Sequence, residues 1–366
     1  MTGQRQPKYD QIVHWVKERV HRAELLPGDR LESENELARV FGVSRQTARQ
    51  AVGILENEGL VLRRRGSGTY ITDVSSPLHE PTKTIGVITT YLDDYIFPGI
   101  IRGIERVLSL NGYTMQLAIT NNRVESETKA LAQMLQNDVD GLIVEPTKSA
   151  LPNLNRDLFS QLTSRHIPCL MIHGAYAGIG FPCVAPDDRA GGYAAAEYLT
   201  ARGHLHIGGV FKSDDIQGHL RYAGFARALK ERGISLDDGT VLWYATEDVP
   251  RLFGGESDDY LLSRFAHCTG LVCYNDQIAL KLMDMLRRGG YPVPERMSLI
   301  GFDNSDLATL SDVGLTSVAH PKEQLGETAA IGILNLIEEP SRLAGRLFDA
   351  VIAERQSVRD LRARGK

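Results

Sequence analysis

The stretch VSRQTARQAV, residues 43–52, decides the fold of the first part of the chain. A helix that starts here has a natural cap in Ser44. It places Arg45 and Arg49 four residues apart on one face, away from an apolar stripe of Ala48, Ala51, Val52 and Leu55. One side is made to be buried and another presents cations. A solvated amphipathic helix has the same pattern, so the flanking residues decide. Before the stretch, SENELARVF (33–41) is a helix with a capping-box spacing, Ser33 to Glu36, and Gly42 makes a tight turn. Further back, Ile12, Val13, Trp15, Val16 and Val20 recur at near-helical spacing, and LLPGDRL (25–31) breaks that helix. After the stretch, LVLRRRGSGTYI (60–71) gives strand, glycine turn, strand. Helix, helix, turn, helix and hairpin make a winged helix-turn-helix. In such a motif the first residues of the second motif helix meet base edges in the major groove. Arginine bridges guanine O6 and N7, and Gln46 and Thr47 suit adenine, the thymine methyl or phosphate. The Gly-x-Gly of the hairpin is no phosphate loop, because an extended run and not a helix follows it.

Charge agrees with this division. Residues 1–72 carry a net +3 and the remainder −8, within −5 for the 366 residues. A small basic module on an acidic body suits a polyanionic partner. Residues 73–83, DVSSPLHEPTK, are polar with two prolines and are expected to be a linker. The four cysteines (169, 183, 268, 273) form no C-x-x-C pair, which predicts reduced thiols in a cytoplasmic protein. No apolar leader and no run of about 18 apolar residues is found, so no membrane partner is expected.

From residue 84 onward, apolar runs alternate with amphipathic stretches. The runs are TIGVITT (84–90), YTMQLAIT (113–120), DGLIVEP (140–146), IPCLMIHG (167–174), HIGGVFK (206–212), GLVCYND (270–276) and SLIGFD (298–303). Buried strands separated by helices imply parallel sheets, and this length implies two α/β lobes. Ligands of open α/β sheets bind beyond the carboxyl ends of the strands. Those ends supply Tyr95, Phe97, Arg102, Glu145, His173, Arg221, Asn275 and Asp303. Carboxylates, an amide, a guanidinium and aromatic faces suit a neutral polyol. Each has a plainer reading: Asp303 as a helix cap, Asn275 as a turn residue, Tyr95 and Phe97 as packing between lobes. The His-x-His of GHLHIG (203–208) has no third ligand near it, so no metal is expected.

LESENELARVFGVSRQTARQAVGILENEGLVLRRRGSGTYI (31–71) resembles the GntR-type winged helix. The resemblance implies DNA contacts at Ser44, Arg45, Gln46, Thr47 and Arg49, a wing around Arg65, Gly66 and Gly68, and a phosphate contact at Lys8. Glu32 departs from the proline common in that family. GLIVEPTKSA (141–150), DRAGG (188–192), CYNDQIAL (273–280) and LIGFDNSDLATL (299–310) resemble, in order, the LacI/GalR effector domain. That resemblance implies a two-lobed periplasmic-binding-protein-like fold with three crossovers. It also implies dimerisation, and sugar hydroxyls held by Arg221, Asn275 and Asp303, with His320 near a crossover. The pairing of the two halves resembles the arabinose-responsive repressors of bacteria, most closely in ITTYLDDYIFPGIIRGIE (88–105) and DGLIVEPTKSALP (140–152). It implies release from a palindromic operator in double-stranded DNA by a monosaccharide, L-arabinose, acting on a homodimer. The expected fold class is therefore α/β, with a small α+β winged helix (1–72), a linker (73–83) and a two-lobed sensor (84–366). An enzyme fused to the head needs a pyridoxal-phosphate lysine or a phosphate loop. Lys212 and Lys281 lack the first setting and no second is found, so no enzyme and no cofactor are expected.

Overall fold

The computed structural model describes residues 8–22, 24–57, 59–64, 67–72, 81–92 and 95–362. The opening module contains α1 (Lys8–His21), β1 (Arg30–Leu31), α2 (Glu34–Phe41), α3 (Arg45–Asn57), β2 (Val61–Arg64) and β3 (Gly68–Ile71). Its core is the stripe read from the sequence. Ile12, Val16, Leu37, Ala48, Ala51, Val52 and Leu55 are buried together with Val61 and Ile71 of the hairpin. The Ser33–Glu36 capping box forms in both directions, and Gly42 ends α2 in the left-handed region. The two hairpin strands pair antiparallel and β1 adds to β3, so the wing is a three-stranded sheet.

The remaining elements begin with β4 (Thr84–Thr89), α4 (Phe97–Leu110), β5 (Thr114–Ile119), α5 (Val124–Gln136), β6 (Gly141–Val144), α6 (Arg156–Ser164) and β7 (Cys169–Ile172). Then come β8 (Cys183–Pro186), α7 (Asp188–Thr200), β9 (Ile207–Lys212), α8 (Ile216–Glu231), β10 (Val241–Tyr244), α9 (Val249–Phe253), α10 (Asp258–Phe265) and β11 (Gly270–Cys273). The chain continues through α11 (Asp276–Arg288), β12 (Ser298–Asp303), α12 (Asp306–Leu310), β13 (Thr316–Ala319), α13 (Lys322–Glu338), β14 (Arg346–Phe348) and β15 (Ile352–Ala353).

They build two six-stranded sheets, in the orders β14-β8-β7-β6-β4-β5 and β10-β9-β11-β12-β13-β15. All the expected strands are present. The sequence missed β8, β10, β13, β14 and β15, each of two to four residues. Pairing is parallel throughout except for β15, which runs antiparallel along β13. The chain crosses between lobes three times. It leaves the first sheet after β8, so that α7 packs in the second lobe on α8. It returns after β13, so that α13 packs on α4, β6 and β7. It leaves again between β14 and β15.

Each lobe holds a helix pair packed through glycine. A Cβ on Gly192 of α7 would lie 1.9 Å from the Arg221 carbonyl of α8, and one on Gly224 would lie 2.0 Å from the Arg189 carbonyl. In the first lobe, Gly103 of α4 and Gly326 of α13 meet in the same reciprocal way. Only residues without a side chain allow backbones this close. The DRAGG motif therefore sets the seat of Arg221.

Candidate functional site

The expected contact residues of the opening module lie at its surface where they are described. Lys8, Ser44, Arg45, Gln46 and Arg49 are exposed and Thr47 is half-buried. The Ser44 hydroxyl accepts from the Thr47 amide at 3.1 Å and lies 2.8 Å from the Thr47 hydroxyl, so Ser44 caps α3 as well as facing outward. Glu34 stands between two arginines, 3.4 Å from Arg45 and 3.4 Å from Arg63. A groove of about 490 Å³ runs between the start of α3 and the wing, lined by Arg30, Arg45, Arg63, Arg64 and Gly68. Gly68 is favoured by a φ of +129°, and a Cβ there would lie 2.8 Å from Arg30 Nε, so that side chain would have to shift. Arg65 and Gly66 lie outside the described residues, as do linker positions 73–80. Sequence reading missed Arg30, which reaches this face because β1 joins the wing, and Glu34, which opens α2.

The second site lies between the lobes, at the carboxyl ends of both sheets. Arg221, on the second turn of α8, is buried. Its Nε donates to Asp188 Oδ1 at 2.7 Å, its Nη1 donates to the Tyr274 carbonyl at 2.5 Å, and its Nη2 lies 4.0 Å from Asp303 Oδ1. The guanidinium is sandwiched between the Phe302 and Tyr274 rings, at 4.3 and 4.9 Å. Asp303 ends β12 with φ +96°, and its Oδ2 accepts from the Tyr95 hydroxyl of the opposite lobe at 2.5 Å. Asn275 Oδ1 caps α11 through the Ile278 amide, and the residue lines the cleft. Phe97 is buried at the start of α4, edge-on to His173.

Four of the expected site residues have surroundings of their own. Glu145 has both oxygens occupied: Oε2 accepts from the Thr90 amide and hydroxyl at 2.7 and 2.6 Å, and Oε1 lies 2.7 Å from His173 Nδ1. Burial pushes its pKa up, but the His173 charge and these hydrogen bonds outweigh burial and hold it below the usual carboxylate value. His173, at φ +64°, joins it to His320, with the two Nε2 atoms 3.0 Å apart. Glu145, His173 and His320 thus form a buried hydrogen-bonded chain at the second crossover, and Glu145 also lines the cavity between the lobes. Arg102 does not reach the cleft. It lies five residues, about 140° of helix, beyond Phe97, and α4 turns it to solvent.

The fold also brings in groups that the strand ends had not suggested. Lys212, the last residue of β9, is buried, and its ammonium donates to Asp215 Oδ2 at 2.5 Å. Burial opposes its charge, yet Asp215 and Asp214 outweigh burial and keep it cationic. Lys212 and Asp215 line an inner cavity of about 70 Å³ with Tyr95, Arg221, Asn275 and Asp303. The same Lys212, with Tyr91, Tyr274 and Asn275, lines the adjoining outer mouth of about 490 Å³. FKSDD (211–215) gave the signal, charged groups at the close of an apolar run.

Across the mouth the lobes are joined. Asn122 Nδ2 donates to Thr246 at 2.7 Å and to Asp214 at 3.3 Å, Lys148 pairs with Glu247 at 2.6 Å, and the Ile216 amide donates to Ser149 at 2.9 Å. Asn121, Asn122 and Lys148 all have positive φ. Non-glycine residues held there cost of order 1–3 kcal/mol each and cluster where structure serves function. No group of three metal-binding side chains occurs among the described residues. No described helix is long and apolar enough to cross a membrane.

A winged helix joined to a two-lobed cleft is the build of a ligand-controlled transcription regulator. Residues 8–71 match the family of bacterial regulatory proteins called gntR, and residues 196–358 match the periplasmic binding protein-like domain. The chain is 41% identical, over 91% of its length and 90% of the relative's, to an arabinose metabolism transcriptional repressor of Halalkalibacterium halodurans. It is 37% identical, over 97% of its length and 98% of the relative's, to one of Geobacillus stearothermophilus. The transcription regulator CcpA of Lactococcus lactis shares the fold with a TM-score of 0.67 at 27% identity, covering 75% of this chain and 99% of that one. The chain belongs to the family of arabinose metabolism transcriptional repressors, and it is a sugar-responsive transcriptional repressor.

Proposed function

We propose that this repressor binds palindromic operator DNA as a homodimer and is released when L-arabinose fills the cleft between its lobes. In this reading residues 1–72 are the DNA-binding head, 73–83 the linker and 84–366 the sensor. Lys8 and Arg65 contact phosphate, and Arg45 and Arg49 read bases. The protein works in the cytoplasm, without cofactor or turnover. The observation that carries the reading is the meeting of Tyr95 from one lobe with Asp303 from the other beside Arg221 and Asn275. A neutral polyol placed there finds donors, acceptors and aromatic faces on both lobes, so it favours the closed arrangement. The similarity to arabinose repressors supports the choice of sugar.

The test is a gel-shift titration on an arabinose-promoter fragment. L-arabinose is expected to weaken binding by a factor set by a coupling of about 1–3 kcal/mol. Tighter binding on adding sugar overturns the sign of the response, and an unchanged affinity overturns arabinose as the effector.

A further inference from the structure

We infer that Lys212 and Asp215 are sugar-reading residues: their ion pair at the throat of the cleft brackets a ligand hydroxyl and selects a neutral sugar. The inference rests on the proposal that the cleft holds a sugar, and it deepens that proposal.

A count of hydrogen-bonding capacity carries it. Most polar groups around the inner cavity already have partners. Glu145 is occupied at both oxygens, Asn275 Oδ1 is fixed to its helix, and two nitrogens of Arg221 are taken by Asp188 and the Tyr274 carbonyl. Lys212 is different. Its ammonium has three donors and makes one hydrogen bond among the described residues, to Asp215 Oδ2, with Asp214 Oδ1 a more distant ion-pair partner at 3.8 Å. That same oxygen receives the Tyr274 hydroxyl at 3.3 Å, while Asp215 Oδ1 accepts no hydrogen bond among the described residues. Two spare donors thus stand beside a spare acceptor oxygen. A hydroxyl is the group that answers both at once, accepting from the ammonium and donating to the carboxylate.

Position adds a second argument. Lys212 lines both the inner cavity and the outer mouth, so the pair stands where the two meet. The charge of the inner cavity adds a third. Glu145, Asp215 and Asp303 outnumber Lys212 and Arg221 by three to two. An aldonate or sugar phosphate would bring a further anion into this buried, acid-rich space, and burial makes an unmatched charge costly.

Calorimetry on the full chain, with a panel of neutral pentoses and hexoses and with L-arabinonate, tests this. The wild type is expected to bind a neutral sugar and not arabinonate. Lys212→Met and Asp215→Asn are each expected to bind that sugar at least tenfold more weakly. The double variant should lose little more than either single change, because one hydroxyl is shared. Lys230→Met, on the exposed face of α8, should retain wild-type affinity. If Lys212→Met melts early, Lys212→Gln, which keeps a donor, replaces it. A wild type that binds a neutral sugar while both variants match it overturns this inference and leaves the cleft assignment standing. A wild type that binds arabinonate, or no neutral sugar, overturns both.

Discussion

Asp303 and Arg221 look like equal partners in a binding site, but their surroundings separate them. Asp303 keeps Oδ1 turned toward Arg221 at 4.0 Å, with no closer partner among the described residues. Arg221 neutralises both Asp188 and Asp303 in a buried setting. Asp303→Ala is therefore expected to cost about 1–3 kcal/mol in sugar affinity with a modest loss of stability, as calorimetry and thermal melting will show. Arg221→Ala strands two buried carboxylates and is expected to cost about 3–5 kcal/mol of stability, so its loss of sugar binding will come with a lowered melting point. Equal melting points for the two variants would contradict this division. His320 supplies a pH test. Burial, then the charges of His173, Lys322 and Arg221, hold its pKa well below the ordinary histidine value. The unfolded chain takes up a proton below about pH 6.5 and the folded one does not, so stability falls as pH drops through that value, by up to about 1.4 kcal/mol per pH unit. Asp276 has the opposite slope: burial, then Asp303, raises its pKa to about 7, so its contribution is lost as pH rises toward 7. The His320 effect is therefore the difference between wild type and His320→Gln, and the two melting curves should converge as pH falls from 7 to 5.5. Asn275 and Asp303 were legible because each is polar at the close of an apolar run, and Arg221 because it stands near the start of the helix that follows one. Asp188 was not, because its partner lies 33 residues away and only the α7–α8 crossing joins them.

At the level of elements, the winged helix was readable almost completely. Its capping box, its left-handed Gly42 and its buried stripe are all local, and local rules decide them. The strands that escaped notice are the short ones of two to four residues, among them β10, β14 and β15 at the rims of the sheets. β14 and β15 are too short to carry a periodicity, whereas β6, β7 and β11, no longer than β8, β10 and β13, stood out because they lie within longer continuous apolar runs. The glycine-mediated crossings were visible as a motif, DRAGG, but their purpose needed the partner helix. Gly192→Ala pushes a methyl group to within 1.9 Å of the Arg221 carbonyl, so α7 and α8 must separate. The expected result is a lower melting point together with weaker sugar binding, since the helix that moves carries Arg221. The neighbouring Gly191 faces the Phe302 ring edge at 3.0 Å and not backbone, so Gly191→Ala should be milder. Similar melting points for the two would mean that the crossing tolerates more than its geometry implies.

Across the whole molecule, the cleft is the joint as well as the pocket. Tyr95 with Asp303, Asn122 with Thr246, and Lys148 with Glu247 all tie one lobe to the other. A ligand that strengthens those ties acts on every surface that moves with a lobe. The threefold passage of the chain between lobes also dictates an order of assembly. The winged helix is complete once residue 71 has been made. The first lobe is not complete after β8, because it still lacks α13, which packs on α4, and β14, which edges its sheet. Both lobes therefore wait for the last fifth of the chain. During synthesis a head able to fold leaves the ribosome long before anything exists that could govern it. A chain cut after residue 345 is expected to keep the cooperative melting of the head while both lobes lose theirs, and amide hydrogen exchange will show protection confined to residues 8–71. In the cell, a message broken near its 3′ end would yield a repressor head whose attached sensor cannot fold.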